Sequence, residues 1–310
     1  MERSILAAID GSIYSKRALH YLATLFAGQP EVGIHLLSLV PAGSHPAGDG
    51  WMTEQEQMNA MPPAIRKQFL SQQQCVTGGI ELFVRHGFAP GQIKETMRLS
   101  RGGIAREILH EARHGRHDAL VIGRRGIGKL EEMILGSVSA TLLEKSHDVP
   151  LWIIDGEVDS RRFLVPVDGT FHSLMAIDHL AFVLKDNPHA EITLFHSAAM
   201  LANRPEIKPG EFYRQWGKEW CDTHLSRPDS LFHAPRQLLI ESGFPAERIL
   251  WHQTRKGIDP SRQILRQALV KDFGTIVMGR RGGEISKGVF RGVSDRVLLM
   301  AEQVAIWIIG

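Results

Sequence analysis

The chain has 310 residues, 43% of them hydrophobic and 23% charged, and its formal net charge at pH 7 is +2. These values are typical of a soluble globular protein with two domains of ordinary size, and they give no indication of nucleic-acid binding. The sequence contains no run of about 20 apolar residues that could span a membrane, and no signal-peptide core at its N-terminus. It has only two cysteines, Cys75 and Cys221, so we expect a cytoplasmic protein without disulfides.

Strands and helices are predicted to alternate along the first half. Short apolar runs predict strands at Ile5–Ile9, Val32–Val40, Ala119–Ile122 and Leu151–Ile154, and a further strand is predicted at Ile93–Leu99, where charged residues interrupt the apolar pattern. Apolar residues at helical spacing predict four helices, at Ser12–Phe26, Ala64–His86, Ile104–His114 and Val138–Lys145. Such alternation is typical of a parallel sheet with helices on both faces.

The second half repeats the first. ILAAIDGS at Ile5 is echoed by FLVPVDGT at Phe163, and GRRG occurs at Gly123 and again at Gly279. We therefore predict two domains, 1–156 and 161–310. The second domain is predicted to have strands near Phe163, Ile192, Ile249, Thr275 and Ala305, and helices over Ser173–Lys185, Glu211–Ser242, Pro260–Lys271 and Ser294–Met300.

The loop after the fourth strand carries the most specific pattern. Gly123 and Gly126 are separated by two residues, and nine more residues precede Gly136 and Ser137. Glycines allow backbone amides to approach a ligand, and a helix N-terminus, here capped by Ser137 or Ser139, favours negative charge. The loop is therefore predicted to bind phosphate groups. It is not a Walker A loop, because Leu130 stands where that motif needs Ser or Thr.

This glycine spacing resembles the loop of ATP-binding universal stress proteins, and ILAAIDGS resembles the first strand of that family. The resemblance covers nearly the whole chain and implies a tandem universal stress protein. It implies an α/β fold of two Rossmann-like domains, each a five-stranded parallel sheet of order 3-2-1-4-5, with the ligand at the carboxyl edge where the order reverses. The residues it implies for binding ATP, with or without Mg²⁺, are Ala8, Asp10, Val40, Ile122, Gly123, Arg125, Gly126, Gly136, Ser137 and Val138.

The corresponding loop of the second half departs from the pattern. Val293 stands where the motif has Ser or Thr, and alignment on the shared Trp-Ile-Ile exposes a one-residue deletion. We therefore expect a weaker, degenerate second site, unless Lys287 and Arg291 compensate for the lost contact. Its residues by the same resemblance are Pro166, Asp168, Met278, Gly279, Gly282, Gly292 and Ser294.

Asp10 and Asp168 each follow a first strand and permit two interpretations. A carboxylate can accept hydrogen bonds from ribose hydroxyls or from an adenine amine, which the resemblance favours. Alternatively, each aspartate only caps the helix that follows it, although Ser12 and Thr170 could also do so.

A literal H-E-x-x-H runs from His110 to His114, which is the zinc-binding pattern of many metalloproteases. The periodicity of this helix places both histidines on its polar face, away from the apolar stripe. The aligned residues of the second half are Arg266, Gln267 and Val270. We therefore predict no metal site from this motif.

The sequence lacks a G-x-S-x-G elbow and a placed general base, so we do not expect an enzyme. The resemblance implies a regulatory stress-response module whose nucleotide occupancy changes its shape or its partners. A nucleotide-independent scaffold and a weak ATPase remain alternatives. The family also implies that the last strands, Leu151–Ile154 and Ala305–Ile308, pair within the chain, with a homodimer or an unknown regulatory protein as further partners.

Overall fold

A computed structural model describes residues 2–42, 61–124, 137–199, 207–254, 257–280 and 292–310 of the chain. The chain divides into two compact units, with the main boundary between Ile154 and Asp155. Each unit is a parallel sheet with helices packed against it, so the predicted α/β fold class is confirmed.

The first unit has five parallel strands in the order β3-β2-β1-β4-β5. The strands are β1 (Arg3–Ile9), β2 (Val32–Pro41), β3 (Ile93–Ser100), β4 (Ala119–Gly123) and β5 (Leu151–Ile154). The described helices are α1 (Ile13–Leu25), α2 (Pro63–Arg85), α3 (Ile104–His114) and α4 (Ser137–Lys145). Because β1 pairs with both β2 and β4, the strand order reverses beside β1, and a crevice is expected at the carboxyl ends of these strands.

The second unit has the same topology, in the order β8-β7-β6-β9-β10. Its strands are β6 (Arg162–Pro166), β7 (Glu191–Ser197), β8 (Ile249–Thr254), β9 (Thr275–Gly279) and β10 (Ala305–Ile309). Its described helices are α5 (Phe171–Leu184), α6 (Tyr213–Trp216), α7 (Lys218–His224), α8 (Ser230–Glu241), α9 (Pro260–Val270) and α10 (Val293–Met300).

The single helix predicted over Glu211–Ser242 is wrong, because three helices occupy this stretch. Gly217 has φ of 79° and ψ of 156°, a conformation that interrupts a helix and that glycine adopts without steric cost. Pro228 then disfavours helical backbone at the residue before it, and the next helix begins only at Ser230.

The core of each unit lies where the helices cover the sheet. Strands β4, β5, β9 and β10 are almost entirely buried, as their apolar runs predicted for parallel strands covered on both faces. Trp152 on β5 and Trp307 on β10 are both 0% exposed and pack against Phe26 and Phe163, with ring centroids 6.2 and 5.5 Å apart. Burial of a large aromatic side chain contributes about 2–3 kcal/mol, so these equivalent residues anchor the last strand of each unit.

Candidate functional site

A cavity of about 300 Å³ lies at the carboxyl edge of the first sheet, where the strand order reverses. This volume is at the lower end of the range of small-molecule sites, about 300–1,000 Å³. The end of β1, the end of β4 and the start of α4 all contribute to its lining. Six residues suggested by the sequence are brought together there: Ala8, Asp10, Ile122, Gly123, Ser137 and Val138.

Val40, which was also suggested for this site, is not among the residues that line the cavity. Val40 is fully buried, and its neighbours Leu39 and Pro41 line the cavity instead. Because side chains alternate along a strand, the side chain of Val40 points to the opposite face of the sheet from those of Leu39 and Pro41. Arg125, Gly126 and Gly136 lie outside the described residues.

Asp10 is exposed and holds the turn between β1 and α1. Its Oδ1 accepts hydrogen bonds from the Ser12 amide at 3.0 Å and the Ser15 hydroxyl at 2.5 Å. The N-cap of α1 is Ser12, whose hydroxyl accepts from the Ser15 amide at 3.2 Å. Asp10 is therefore not the capping residue, and its carboxylate lies at the edge of the cavity.

The second unit has the same arrangement around Asp168. Thr170 caps α5 by accepting from the Ser173 amide at 3.3 Å. Asp168 Oδ1 accepts from the amide and the hydroxyl of Thr170, at 3.0 and 2.7 Å. In both units the hydroxyl residue caps the helix and the aspartate supports that residue, so the alternative in which each aspartate itself caps its helix is wrong.

Gly123, at the end of β4, has a packing role that the sequence did not suggest. A methyl carbon at this position would collide with main-chain atoms of Tyr14 and Ser15 at the start of α1. Gly279 in the second unit is enclosed in the same way by main-chain atoms of His172 and Ser173. The close approach of helix and strand therefore requires glycine in both units, whatever ligand is bound.

Helix α4 begins at Ser137, and its first turn faces the cavity. Ser139 lies within this turn, so it is not an N-cap as one alternative had it. The amides at the start of a helix have no partner inside the helix, and the helix dipole makes this end attractive to anions. The start of α4 therefore favours an anion at one end of the cavity, and Asp10 places a carboxylate at the end of β1.

The sequence did not suggest the helical side of the cavity. Gln68 and Gln72 on α2, together with Ile104 and Ile108 on α3, line it. Gln72 is 3% exposed, and its side-chain oxygen accepts a hydrogen bond from the Ser38 hydroxyl at 2.6 Å. In the sequence, the two glutamines stand out only because they are four positions apart in a predicted helix. The same spacing also occurs on helix faces that are exposed to solvent.

The equivalent cavity of the second unit is smaller, at about 130 Å³. Gly292 does not line this cavity, and Gly282 lies outside the described residues. Phe195 on β7 is the counterpart of Leu37 in the first unit, and this larger side chain lines the smaller cavity. The suggested residues that do line the cavity are Pro166, Asp168, Met278, Gly279 and Ser294.

A carboxylate occupies the start of α10 in the second unit. Asp295 Oδ2 accepts a hydrogen bond from the Gly292 amide at 3.4 Å, and its Oδ1 lies 3.6 Å from Arg280 Nε. Arg280 is 6% exposed, and burial lowers the pKa of its guanidinium while Asp295 opposes that change. The aligned residue of α4 is Ala140, so the first unit has no carboxylate here.

Comparison with known proteins agrees with this fold. Residues 1–154 match the Universal stress protein family. A universal stress protein from Archaeoglobus fulgidus DSM 4304 has a TM-score of 0.63 at 17% sequence identity, covering 99% of this chain and 97% of that one. A functionally unknown protein from Pseudomonas aeruginosa PAO1 has a TM-score of 0.52 at 15% identity, covering 99% and 92%. At these identities the structural similarity to universal stress proteins supports the fold alone.

No protein of curated function matches the chain. Among the residues that the structure describes, no helix combines the length and the apolarity that crossing a membrane would require.

Proposed function

We propose that this chain is a tandem universal stress protein whose first unit binds ATP, with or without Mg²⁺, at the carboxyl edge of its sheet. The observation that carries the proposal is the cavity of about 300 Å³ between Asp10 and the start of α4. Adenine and ribose would occupy the end near Asp10, where a carboxylate can accept hydrogen bonds. The phosphates would lie against Gly123 and the first amides of α4, beside the glycine loop of the sequence motif.

The second unit is proposed to bind nucleotide more weakly or not at all. Three observations support this asymmetry: the smaller cavity, the loop deletion, and Asp295 at the start of α10. The carboxylate of Asp295 accepts from an amide that a phosphate would otherwise use. Its negative charge also repels phosphate, by on the order of 1 kcal/mol or more at short range.

We propose a regulatory role in stress responses, in which nucleotide occupancy alters the shape or the partners of the protein, rather than an enzymatic one. Four further points stay predictions: localisation in the cytoplasm, pairing of the last strands within the chain, a homodimer, and a regulatory protein partner. The alternatives are a scaffold that needs no nucleotide and a weak ATPase. Mass spectrometry of ligand carried through purification separates the first alternative from the proposal, and a turnover assay separates the second.

The central test is calorimetric titration of ATP into the full chain and into two matched variants, Gly126→Ala and Gly282→Ala. These glycines occupy equivalent positions in the two loops, so the variants change the same local chemistry in each unit. We expect Gly126→Ala to weaken ATP binding at least tenfold and Gly282→Ala to leave it nearly unchanged. Equal losses would contradict the asymmetry, and absence of binding by the unmodified chain would contradict the proposed function.

A further inference from the structure

Two histidines and a glutamate converge between α3 and the sheet of the first unit. His35 on β2, His117 after α3 and Glu111 on α3 each present one ligand atom, and these atoms lie within 4.8 Å of one another. His35 Nδ1 is 3.2 Å from His117 Nε2 and 3.9 Å from Glu111 Oε1. The cluster contacts Ser4 near the amino end of β1, whereas Asp10 and the nucleotide cavity lie beyond its carboxyl end.

This geometry is close to that of three ligands around one metal ion. Zinc binds histidine nitrogen and carboxylate oxygen at about 2.0–2.2 Å, which places neighbouring ligands of a tetrahedron about 3.3–3.5 Å apart. The two separations from His35 Nδ1, 3.2 and 3.9 Å, differ from this by a few tenths of an ångström, and the third, between Glu111 and His117, is no more than 4.8 Å. Small rotations of the side chains would therefore complete the arrangement. Two imidazoles and one carboxylate also form the donor set of known zinc sites.

The remaining polar atoms of the three side chains are held by neighbours. His35 Nε2 is 2.9 Å from the Thr96 hydroxyl, and His117 Nδ1 is 2.7 Å from the Ser4 hydroxyl. The second oxygen of Glu111 is paired with Arg98, at 3.3 Å. Metal-binding histidines and carboxylates usually have such outer partners, which fix the tautomer and direct the lone pairs inward.

Both imidazoles are maintained in the neutral form that binds metal. Burial, assisted by Lys94, lowers the pKa of His35 to about 4, while Glu111 opposes this change. Burial also lowers the pKa of His117, again against the effect of Glu111. His35 is 2% exposed, but Glu111 is 19% exposed, which leaves a path from solvent along the edge of α3.

We propose that His35, Glu111 and His117 form a zinc site, with the fourth position left to water. This set is different from the H-E-x-x-H pair, although it shares Glu111. His110 and His114 lie on the exposed face of α3 with their ring centroids 3.8 Å apart. Glu111 extends from the other side of the helix toward the sheet.

The second unit shows that the fold does not need these residues. Thr193 pairs with Leu164 as His35 pairs with Leu6, so it is the counterpart of His35. Gln267 is the eighth residue of the 11-residue helix α9, as Glu111 is in α3. The amide of Phe273 donates a hydrogen bond to the carbonyl five residues before it, and the amide of His117 does the same in the first unit. Phe273 is therefore the counterpart of His117. All three ligands are therefore absent from the repeat, and these counterparts provide matched substitutions.

The test is titration of the chelator-treated full chain with Co²⁺, whose visible absorption reports tetrahedral coordination, followed by displacement with Zn²⁺. The ligand variants are His35→Thr, Glu111→Gln and His117→Phe, each copying the second unit. The control is the double variant His110→Arg/His114→Val, which copies the second unit on the exposed face of the same helix. Circular dichroism verifies that each variant is folded.

We expect one tetrahedral Co²⁺ site per chain that Zn²⁺ displaces. Each ligand variant should weaken Co²⁺ binding by at least about tenfold, and the control should bind as the unmodified chain does. If a histidine variant fails to fold, Glu111→Gln still tests the zinc site, because this substitution removes only a partly exposed charge. Three results would overturn the proposal: no tetrahedral absorption, unchanged Co²⁺ affinity in Glu111→Gln, or weakened Co²⁺ affinity in the control.

Discussion

His35 Nδ1 lies 3.2 Å from His117 Nε2, although 82 positions separate the two residues in the chain. Their pairing joins the interior of β2 to the turn before β4. Because neither ring is protonated at neutral pH, the pair contributes to stability only while it stays neutral. This makes the first unit sensitive to acid at two positions where the second unit has Thr193 and Phe273 instead.

The first prediction concerns that sensitivity. The pKa of His35 is about 4 in the folded protein, lowered by burial and Lys94, whereas an unfolded histidine has its ordinary value of 6.5. The unfolded chain therefore gains a proton first as the pH falls. The free energy of unfolding should decrease between about pH 6.5 and pH 4, by about 3 kcal/mol from this residue, and then level off.

Urea unfolding at pH 7 and pH 4.5, followed by hydrogen exchange in β2, measures this effect in the first unit. His35→Thr should have a smaller difference between the two pH values than the unmodified chain. Acidic residues titrate in both proteins, so the comparison isolates the histidine. If the two proteins lose the same stability, His35 is not the source of the acid sensitivity.

The second prediction separates packing from ligand binding at the glycines that end β4 and β9. Gly123→Ala and Gly279→Ala should each destabilise their own unit by about 1–3 kcal/mol or more, because the added carbon meets main-chain atoms that cannot move alone. Unfolding measured without nucleotide tests this directly. Gly33→Ala is a suitable control, since its added carbon would make only ordinary contacts, at 3.8 Å. A stable Gly279→Ala variant would contradict the packing role.

The third prediction concerns Glu107, which organises the turn before α3. Its Oε1 accepts three hydrogen bonds at 2.9 Å, from the Ser100 hydroxyl and from the amides of Arg101 and Gly102. Burial raises the pKa of Glu107, but the hydrogen bonds from Gly102, Ser100 and Arg101 outweigh it and lower the pKa overall. Its contribution to stability is therefore present above pH 4.5 and is lost as the pH falls through the folded value.

Glu107→Gln should lower the free energy of unfolding at pH 7 by about 1–2 kcal/mol and reduce the acid dependence. Since Ile104 and Ile108 line the cavity on the same helix, we also expect weaker ATP binding. Urea unfolding and calorimetry measure the two effects. Glu95→Gln, at an exposed position of β3, serves as the control and should change neither quantity.

Most strands of both units could be predicted from the sequence because they are local apolar runs, although β3 also carries Lys94, Glu95 and Arg98. The helix over Glu211–Ser242 could not, since its interruption depends on the conformation of Gly217 and on Pro228. The edge of the cavity formed by Asp10 and Gly123 followed from a motif. Its other wall, including Gln72, depends on how α2 packs against the sheet, and no local pattern gives that. The role of Glu111 could not be predicted from a local pattern either, because its partners come from distant segments of the chain.

The last prediction tests whether Asp295 is the cause of a weak second site. In the Gly126→Ala background, where the first site is impaired, Asp295→Asn should strengthen ATP binding to the second unit by roughly fivefold, which corresponds to about 1 kcal/mol. The substitution keeps the size of the side chain while removing the charge that lies beside Arg280 and the Gly292 amide. Calorimetry and protection of α10 from hydrogen exchange report the binding.

The reciprocal change supplies the matched control. Ala140→Asp, with Gly126 intact, places a carboxylate at the aligned position of α4 and should weaken ATP binding by a similar factor. An aspartate at the start of a helix stabilises that helix by about 0.3–1 kcal/mol, so this variant should not lose stability. Loss of binding with stability retained would attribute the effect to repulsion at the phosphate end. If Ala140→Asp binds ATP normally, the carboxylate does not explain the difference between the two units, and the smaller cavity beside Phe195 becomes the explanation.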